Sequence, residues 1–94
     1  MTFLPDSIGN LTSLTALDVR RNQLTQIADS IGKLIALTYL GVGSNKLSHL
    51  PDSIGNLTSL EKLDVYYNPI TSTKQGKDDI IRRFGKAGLQ ISVN

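Results

Sequence analysis

Leu14-Thr15-Ala16-Leu17-Asp18-Val19-Arg20-Arg21-Asn22-Gln23-Leu24 is the stretch on which the reading of this chain turns. Apolar residues mark its first, fourth, sixth and last positions, and an asparagine stands between two polar neighbours. Advancing by 23 residues gives the same order as Leu37, Leu40, Val42, Asn45 and Leu47, and again as Leu60, Leu63, Val65, Asn68 and Ile70. Working outward, this period divides the chain into units 4–26, 27–49 and 50–72. The first and third agree at 16 of 23 positions, with the run Leu4 to Leu14 repeated unbroken at Leu50 to Leu60. The middle unit agrees with the first at 11 of 23 and departs at its opening, where Ile27 and Ala28 replace leucine and proline. A motif kept in register three times at one period marks a repeat architecture, in which each unit buries its apolar side only against its neighbours.

The pattern Leu-x-x-Leu-x-Val-x-x-Asn-x-Leu resembles the leucine-rich-repeat family over residues 4–72. The resemblance implies an α/β fold: a short solenoid arc with a parallel sheet on its concave side and short helical or 3-10 turns on its convex side. The physics of each position agrees. Leucine and valine two apart point to one side of a short strand, and strands of successive units pair as neighbours. Asn22, Asn45 and Asn68 fall where the chain leaves the strand, and a buried amide there satisfies backbone donors and acceptors of its own turn and of the neighbouring unit. The 23-residue unit, with Leu-Pro directly at Leu4-Pro5 and Leu50-Pro51, is similar to the intracellular Ras-associated and bacterial classes. The extracellular plant class has a longer unit. Placement in the cytoplasm, or delivery by a bacterium into a host cytosol, is the corresponding expectation.

On the convex side Asp6, Asp29 and Asp52 precede Ser-Ile-Gly, which predicts a helix-start residue before one turn that Gly9, Gly32 or Gly55 ends. Ile8, Leu11, Ile31, Leu34, Ile54 and Leu57 are expected to fill the core from that side, each contributing about 1.5–3 kcal/mol if fully buried.

The two ends differ. Residues 73–94 read as a C-terminal cap: a helix over Lys77–Ala87 with Ile80, Ile81 and Phe84 as its apolar face, Asp78 and Asp79 in its first turn, and Arg82, Arg83 and Lys86 decorating its end. Leu89 to Val93 alternates as a half-buried strand does and is expected to pair beside the third repeat strand. Nothing comparable precedes the first unit to cover Leu11, Leu14, Leu17 and Val19. Either the protein continues upstream, or two copies meet at that end as a homodimer.

Composition narrows the function classes. The 94 residues form a single domain with a net charge of +2, no cysteine and no apolar run of membrane-spanning length. Neither a nucleic-acid partner nor a membrane is indicated, and the N-terminus lacks the basic start and apolar stretch of a signal peptide. Gly41-Val42-Gly43 lacks the third glycine of a dinucleotide fingerprint. Ser7, Ser30 and Ser53 repeat with the scaffold, so with His49 as the sole histidine, an exposed connector, no nucleophilic triad is read. No metal cluster or cofactor site is read either, and the chain is not expected to be an enzyme. Asn10-Leu11-Thr12 and Asn56-Leu57-Thr58 are formal glycosylation sequons that the repeat itself generates.

The expected role is therefore binding of another protein, in isolation or as the recognition segment of a larger enzyme or signalling protein. Between the apolar strand positions lie solvent-facing columns: Ala16, Tyr39 and Lys62; Asp18, Gly41 and Asp64; Arg20, Gly43 and Tyr66; and Arg21, Ser44 and Tyr67 at the strand ends. The scaffold is copied between the first and third units while this surface changes. Leucine-rich-repeat proteins commonly hold partners on the concave face, which places Asp18, Arg20, Tyr39, Lys62, Asp64, Tyr66 and Tyr67 as candidate contacts. Tyrosine and arginine are also the residues that interface hot spots favour. Gly41 and Gly43 are expected to leave a shallow notch between Asp18 and Asp64.

Overall fold

A computed structural model describes residues 2–94. Three strands, β1 (Ala16–Asp18), β2 (Tyr39–Gly41) and β3 (Lys62–Asp64), are followed by a helix, α1 (Lys74–Phe84), and a fourth strand, β4 (Gln90–Ser92). All four strands pair in parallel in the order β1-β2-β3-β4. The register aligns Ala16, Tyr39, Lys62 and Gln90 in one row, Leu17, Leu40, Leu63 and Ile91 in the next, and Asp18, Gly41, Asp64 and Ser92 in the third. Three 3-10 turns, Asp6–Asn10, Asp29–Lys33 and Asp52–Asn56, stack on the opposite side. The core fills the space between, with Leu24, Ile31, Leu34, Leu37, Leu40, Val42, Leu47, Leu63 and Val65 fully buried. Among the described residues, no helix is long and apolar enough to cross a membrane.

The asparagines tie one unit to the next. Asn45 accepts the Leu24 N–H of the preceding unit at 3.0 Å and donates to Val19 O of that unit and to Val42 O and Gly43 O of its own. Asn68 repeats the pattern on Leu47 N–H, Val42 O, Val65 O and Tyr66 O. Asn22 is half-buried, and among the described residues its side chain donates to Val19 O and Arg20 O, within its own unit. A backbone bond from Lys46 N–H to Leu24 O reinforces the first junction. At the second, Pro69 stands in the place of Lys46 and has no N–H, so Ile70 supplies the bond to Leu47 O instead. Pro69–Thr71 then forms a 3-10 turn in which Thr71 Oγ1 accepts the Asn68 N–H at 3.1 Å and donates to Asn68 O at 3.0 Å.

Three convex-side expectations change. Asp6, Asp29 and Asp52 are the first residues of their turns and make no side-chain cap; the preceding Pro5, Ala28 and Pro51 hold the extended entry. Each glycine lies one residue before the end of its turn, and at Gly9 and Gly32 its role is close approach. A Cβ on Gly9 or Gly32 would stand 2.9 Å from the carbonyl oxygen of Ser30 or Ser53 in the next unit, whereas at Gly55 it would meet open space. Leu11 is 51 % exposed although its counterparts Leu34 and Leu57 are 0 % and 1 % exposed, because no unit precedes it in the structure. Leu14 and Leu17 are half-buried for the same reason, but Val19 is buried, since it points inward over the first unit's own core.

The cap is also repositioned. α1 begins three residues earlier than the expected Lys77 because the Thr73 side chain accepts the Gly76 N–H at 3.0 Å, and it ends at Phe84 where Gly85 turns extended. Asp78 and Asp79 thus lie beyond the first turn, paired with Lys74 and with Arg82 and Arg83. Arg83 and Lys86 do more than decorate the helix. Arg83 bonds Leu50 O at 3.0 Å and pairs with Asp52, and Lys86 Nζ donates to Leu57 O at 3.2 Å, so both pin the cap to the third unit. β4 pairs with β3 as expected.

Replacing Asn45 by alanine leaves the buried Leu24 N–H without its acceptor and takes one of two donors from each of Val19 O, Val42 O and Gly43 O, an expected loss of about 2–3 kcal/mol. Asn22→Ala, which breaks only bonds within one half-buried turn, is expected to cost about 1 kcal/mol or less. Urea denaturation of the two variants measures the difference; equal losses would show that the ladder across the junction is not what holds the units together.

Candidate functional site

The concave surface is built by the residues that alternate with the buried leucines on β1, β2 and β3, and by the strand exits beyond them. Every candidate contact lies on this surface, but the structure gives them unequal parts. Lys62 and Tyr67 are exposed, Tyr67 by 76 %. Asp64 is only 4 % exposed. Its Oδ2 accepts the Tyr39 hydroxyl at 2.8 Å, so this carboxylate supports the face from beneath.

The expected notch is absent because the glycines are seats for tyrosine rings. A Cβ on Gly41 would come within 2.9 Å of Tyr39 Cζ, and one on Gly43 within 2.7 Å of Tyr66 Cε1. Tyr39 therefore lies along its own strand over Gly41 toward Asp64, and Tyr66 lies over the neighbouring Gly43. Only a residue without a side chain lets the rings settle this close to the sheet. Tyr66 meets Tyr67 edge to face, with ring centroids 5.4 Å apart. Pairs in this geometry add about 0.5–1.5 kcal/mol beyond burial and fix both rings.

The charges are arranged as firmly. Arg20 grips Asp18 through two hydrogen bonds of 2.8 Å, and its Nη1 donates to the Tyr66 hydroxyl at 3.2 Å. The Arg20 side chain, helped by its backbone N–H, holds the Asp18 carboxyl down at about 2, and Asp18 in turn pushes the guanidinium further up. Burial of Tyr39, together with its hydrogen bond to Asp64, pushes the phenol up to about 12. Asp18, Arg20, Tyr39, Asp64 and Tyr66 thus form a preorganised floor, with Lys62 and Tyr67 exposed above it.

One backbone feature escaped the sequence. Arg21, Ser44 and Tyr67, each immediately before a ladder asparagine, adopt positive φ values of 61°, 56° and 55°. Arginine, serine and tyrosine have no preference for this left-handed region, so residue type carried no signal. Only their shared position in the repeat marks them. The conformation turns each side chain out from the strand exit.

A groove lies elsewhere, between the Ser48–His49 connector and α1, lined also by Pro69, Ile70 and Thr73. We give it less weight than the sheet face: it is open, and the charges along it, Lys74, Asp78, Asp79, Arg82 and Arg83, are already paired with one another. His49 is an exposed connector, as expected. Among the described residues, no group of three or more histidine, cysteine, aspartate or glutamate side chains is gathered to hold a metal.

Stacked parallel strands, short convex turns and an asparagine ladder define a solenoid repeat domain. A family profile described as a leucine-rich repeat region matches residues 1–86. The chain belongs to the leucine-rich-repeat family. Among solved structures, it is similar to a leucine-rich-repeat protein of Leptospira interrogans, with a TM-score of 0.86 and 31 % identity over 97 % of this chain. The chain spans 22 % of that protein's length. No curated protein matches it.

The Tyr39 phenol gives a direct check on the floor. Its pKa is raised from 10.0 to about 12 on folding, so its contribution to stability is present below pH 10 and is lost as pH rises toward 12. Ultraviolet titration of the phenolates is expected to resolve one component near pH 12 that Tyr39→Phe removes. A titration in which Tyr39→Phe deletes a component near pH 10 would show that the Tyr39 to Asp64 bond does not form.

Proposed function

We propose that this chain is a non-enzymatic protein-interaction module that holds a partner protein, rather than nucleic acid or a membrane, on its concave sheet face. Domains of this family are in general protein-interaction modules. The observation that carries the reading is the division of labour between positions. Ladder asparagines and core leucines are kept from unit to unit, while the rows facing solvent change from Ala16 to Tyr39 to Lys62 and from Arg20 to Gly43 to Tyr66. Tyrosine and arginine held in one geometry lose little freedom on binding, which favours affinity.

The floor residues are poor choices for a test, because Tyr39→Ala leaves the buried Asp64 carboxylate without its donor. A photo-crosslinking residue at exposed Lys62, compared with one at exposed Asn56 on the convex side, probes contact without disturbing the floor. Partner adducts are expected from position 62 and not from position 56. Adducts from position 56 alone would move the binding surface to the convex side.

A second reading is self-association through the open side of β1, a homodimer contact. It is supported by the exposure of Leu11 and Phe3 at that end, 51 % and 64 % respectively. Light scattering over a range of concentrations is expected to show a dimer that Leu11→Glu dissociates. A chain that stays monomeric at the highest concentration discards this reading.

A further inference from the structure

Charge is segregated along the solenoid in a way that net charge conceals. Residues 19–28, 42–51 and 65–74 run from the strand exits to the next turn or to the first residue of α1 and together make one flank of the arc. They hold Arg20, Arg21, Lys46 and Lys74, four of the ten lysine and arginine residues, and none of the eight aspartate and glutamate residues; Lys77 lies further along α1, next to Asp78. Asp6, Asp29 and Asp52 lie on the convex turns instead. Two of the flank cations are already neutralised: Arg20 by Asp18 at 2.8 Å and Lys74 by Asp78 at 3.0 Å. Among the described residues, Arg21, Lys46 and Lys77 form no ion pair. Lys77 donates to the Asn94 side chain, and Arg21 and Lys46 are exposed.

The backbone adds a second observation. The positive φ before each ladder asparagine is demanded by the scaffold, since it recurs in all three units. Asparagine or glycine would relieve it, at a saving of about 1–2 kcal/mol of strain. Arginine and tyrosine stand there in the first and third units, against local preference, and project from the flank at the rim of the concave face. Tyr67 is the most exposed large hydrophobic residue, at 76 %, and is propped edge-on against Tyr66. Arg21 and Tyr67 are two strand spacings apart, about 10 Å, with Lys46 next to the Ser44 row between them.

We infer that this flank is a docking rim for an extended acidic segment of the partner protein, with Arg21 and Lys46 taking its carboxylates and Tyr67 an apolar or aromatic side chain. An extended segment advances about 3.3 Å per residue, so side chains three residues apart span the roughly 10 Å between the Arg21 and Tyr67 positions. The inference rests on the reading of the chain as a protein-binding module and adds the chemistry of what it binds. It also predicts fast, salt-sensitive association, because unpaired rim charges act chiefly on encounter.

The probe is a fluorescent peptide of alternating glutamate and serine containing one tyrosine, with a glutamine-for-glutamate counterpart, titrated onto the isotope-labelled intact chain. The acidic peptide is expected to bind and the neutral one not to, with amide shifts at Arg21, Ser44, Lys46 and Tyr67. Affinity should fall steeply between about 10 mM and about 150 mM salt, as the Debye length shrinks from about 30 Å to about 8 Å. Arg21→Glu with Lys46→Glu should weaken binding about tenfold or more, and the milder Arg21→Gln with Lys46→Gln, checked for an unchanged melting temperature, should weaken it less. Shifts confined to the rows of Tyr39 and Lys62, unaffected by either variant, would overturn the rim and leave the concave-face reading intact. Absence of binding overturns the acidic segment, while crosslinking at position 62 judges the concave face separately. Tighter binding of a single-stranded oligonucleotide of equal charge would overturn the proposal in favour of a nucleic-acid partner.

Discussion

Everything in this chain depends on the amide of one asparagine per unit reaching back into the unit before it. A three-residue strand followed by a sharp exit leaves backbone donors and acceptors pointing into a core that has no water to satisfy them. Asn45 and Asn68 each meet one such donor and one such acceptor across the junction and further acceptors at home. The same amide that closes its own turn therefore sets the spacing and register of its neighbour. Asn22, in the first unit, closes its own turn through Val19 O and Arg20 O in the same way.

Once spacing and register are set, the concave surface follows with little freedom. Each row presents one residue per strand at a fixed separation, so a glycine in one unit becomes the seat of a tyrosine from the same unit or the next. Tyr39 over Gly41 and Tyr66 over Gly43 are both of this kind. Their hydroxyls are in turn spent on Asp64 and Arg20. The result is a hydrogen-bonded floor whose unpaired groups stand at its rim, which suits a surface that selects a partner by shape in the middle and by charge at the edge.

The ends of a solenoid must deal with an open core. At the C-terminal side, α1 crosses the third unit and is pinned there by Arg83 and Lys86, while β4 pairs with the last repeat strand. These two cations bond carbonyls of Leu50 and Leu57, positions that in the earlier units face another unit. At the N-terminal side Leu11 stays exposed and Leu14 and Leu17 half-buried. The contrast between equivalent leucines shows that burial here is a property of the neighbour, not of the unit.

The repeat, its three registers, the strand rows, the ladder asparagines and the cap strand were all legible in the sequence, because periodic burial writes the same residue at the same position each time. What reads badly from sequence is whatever depends on the particular atoms a side chain or backbone group meets. The helix start moved to Lys74 because Thr73 supplied a cap, and Gly9 and Gly32 proved to be places of close approach. The notch between Asp18 and Asp64 filled because rings fold onto whatever space a glycine leaves. Asp64, read as an exposed contact, lies under Tyr39. The left-handed backbone at Arg21, Ser44 and Tyr67 had no signal in residue type at all, since geometry required by the strand exit overrides local preference. Sequence by itself determined which residues recur and hence the fold; only the tertiary structure decided which of the varying residues are spent on one another and which remain free, because that depends on distances between units that no single unit encodes.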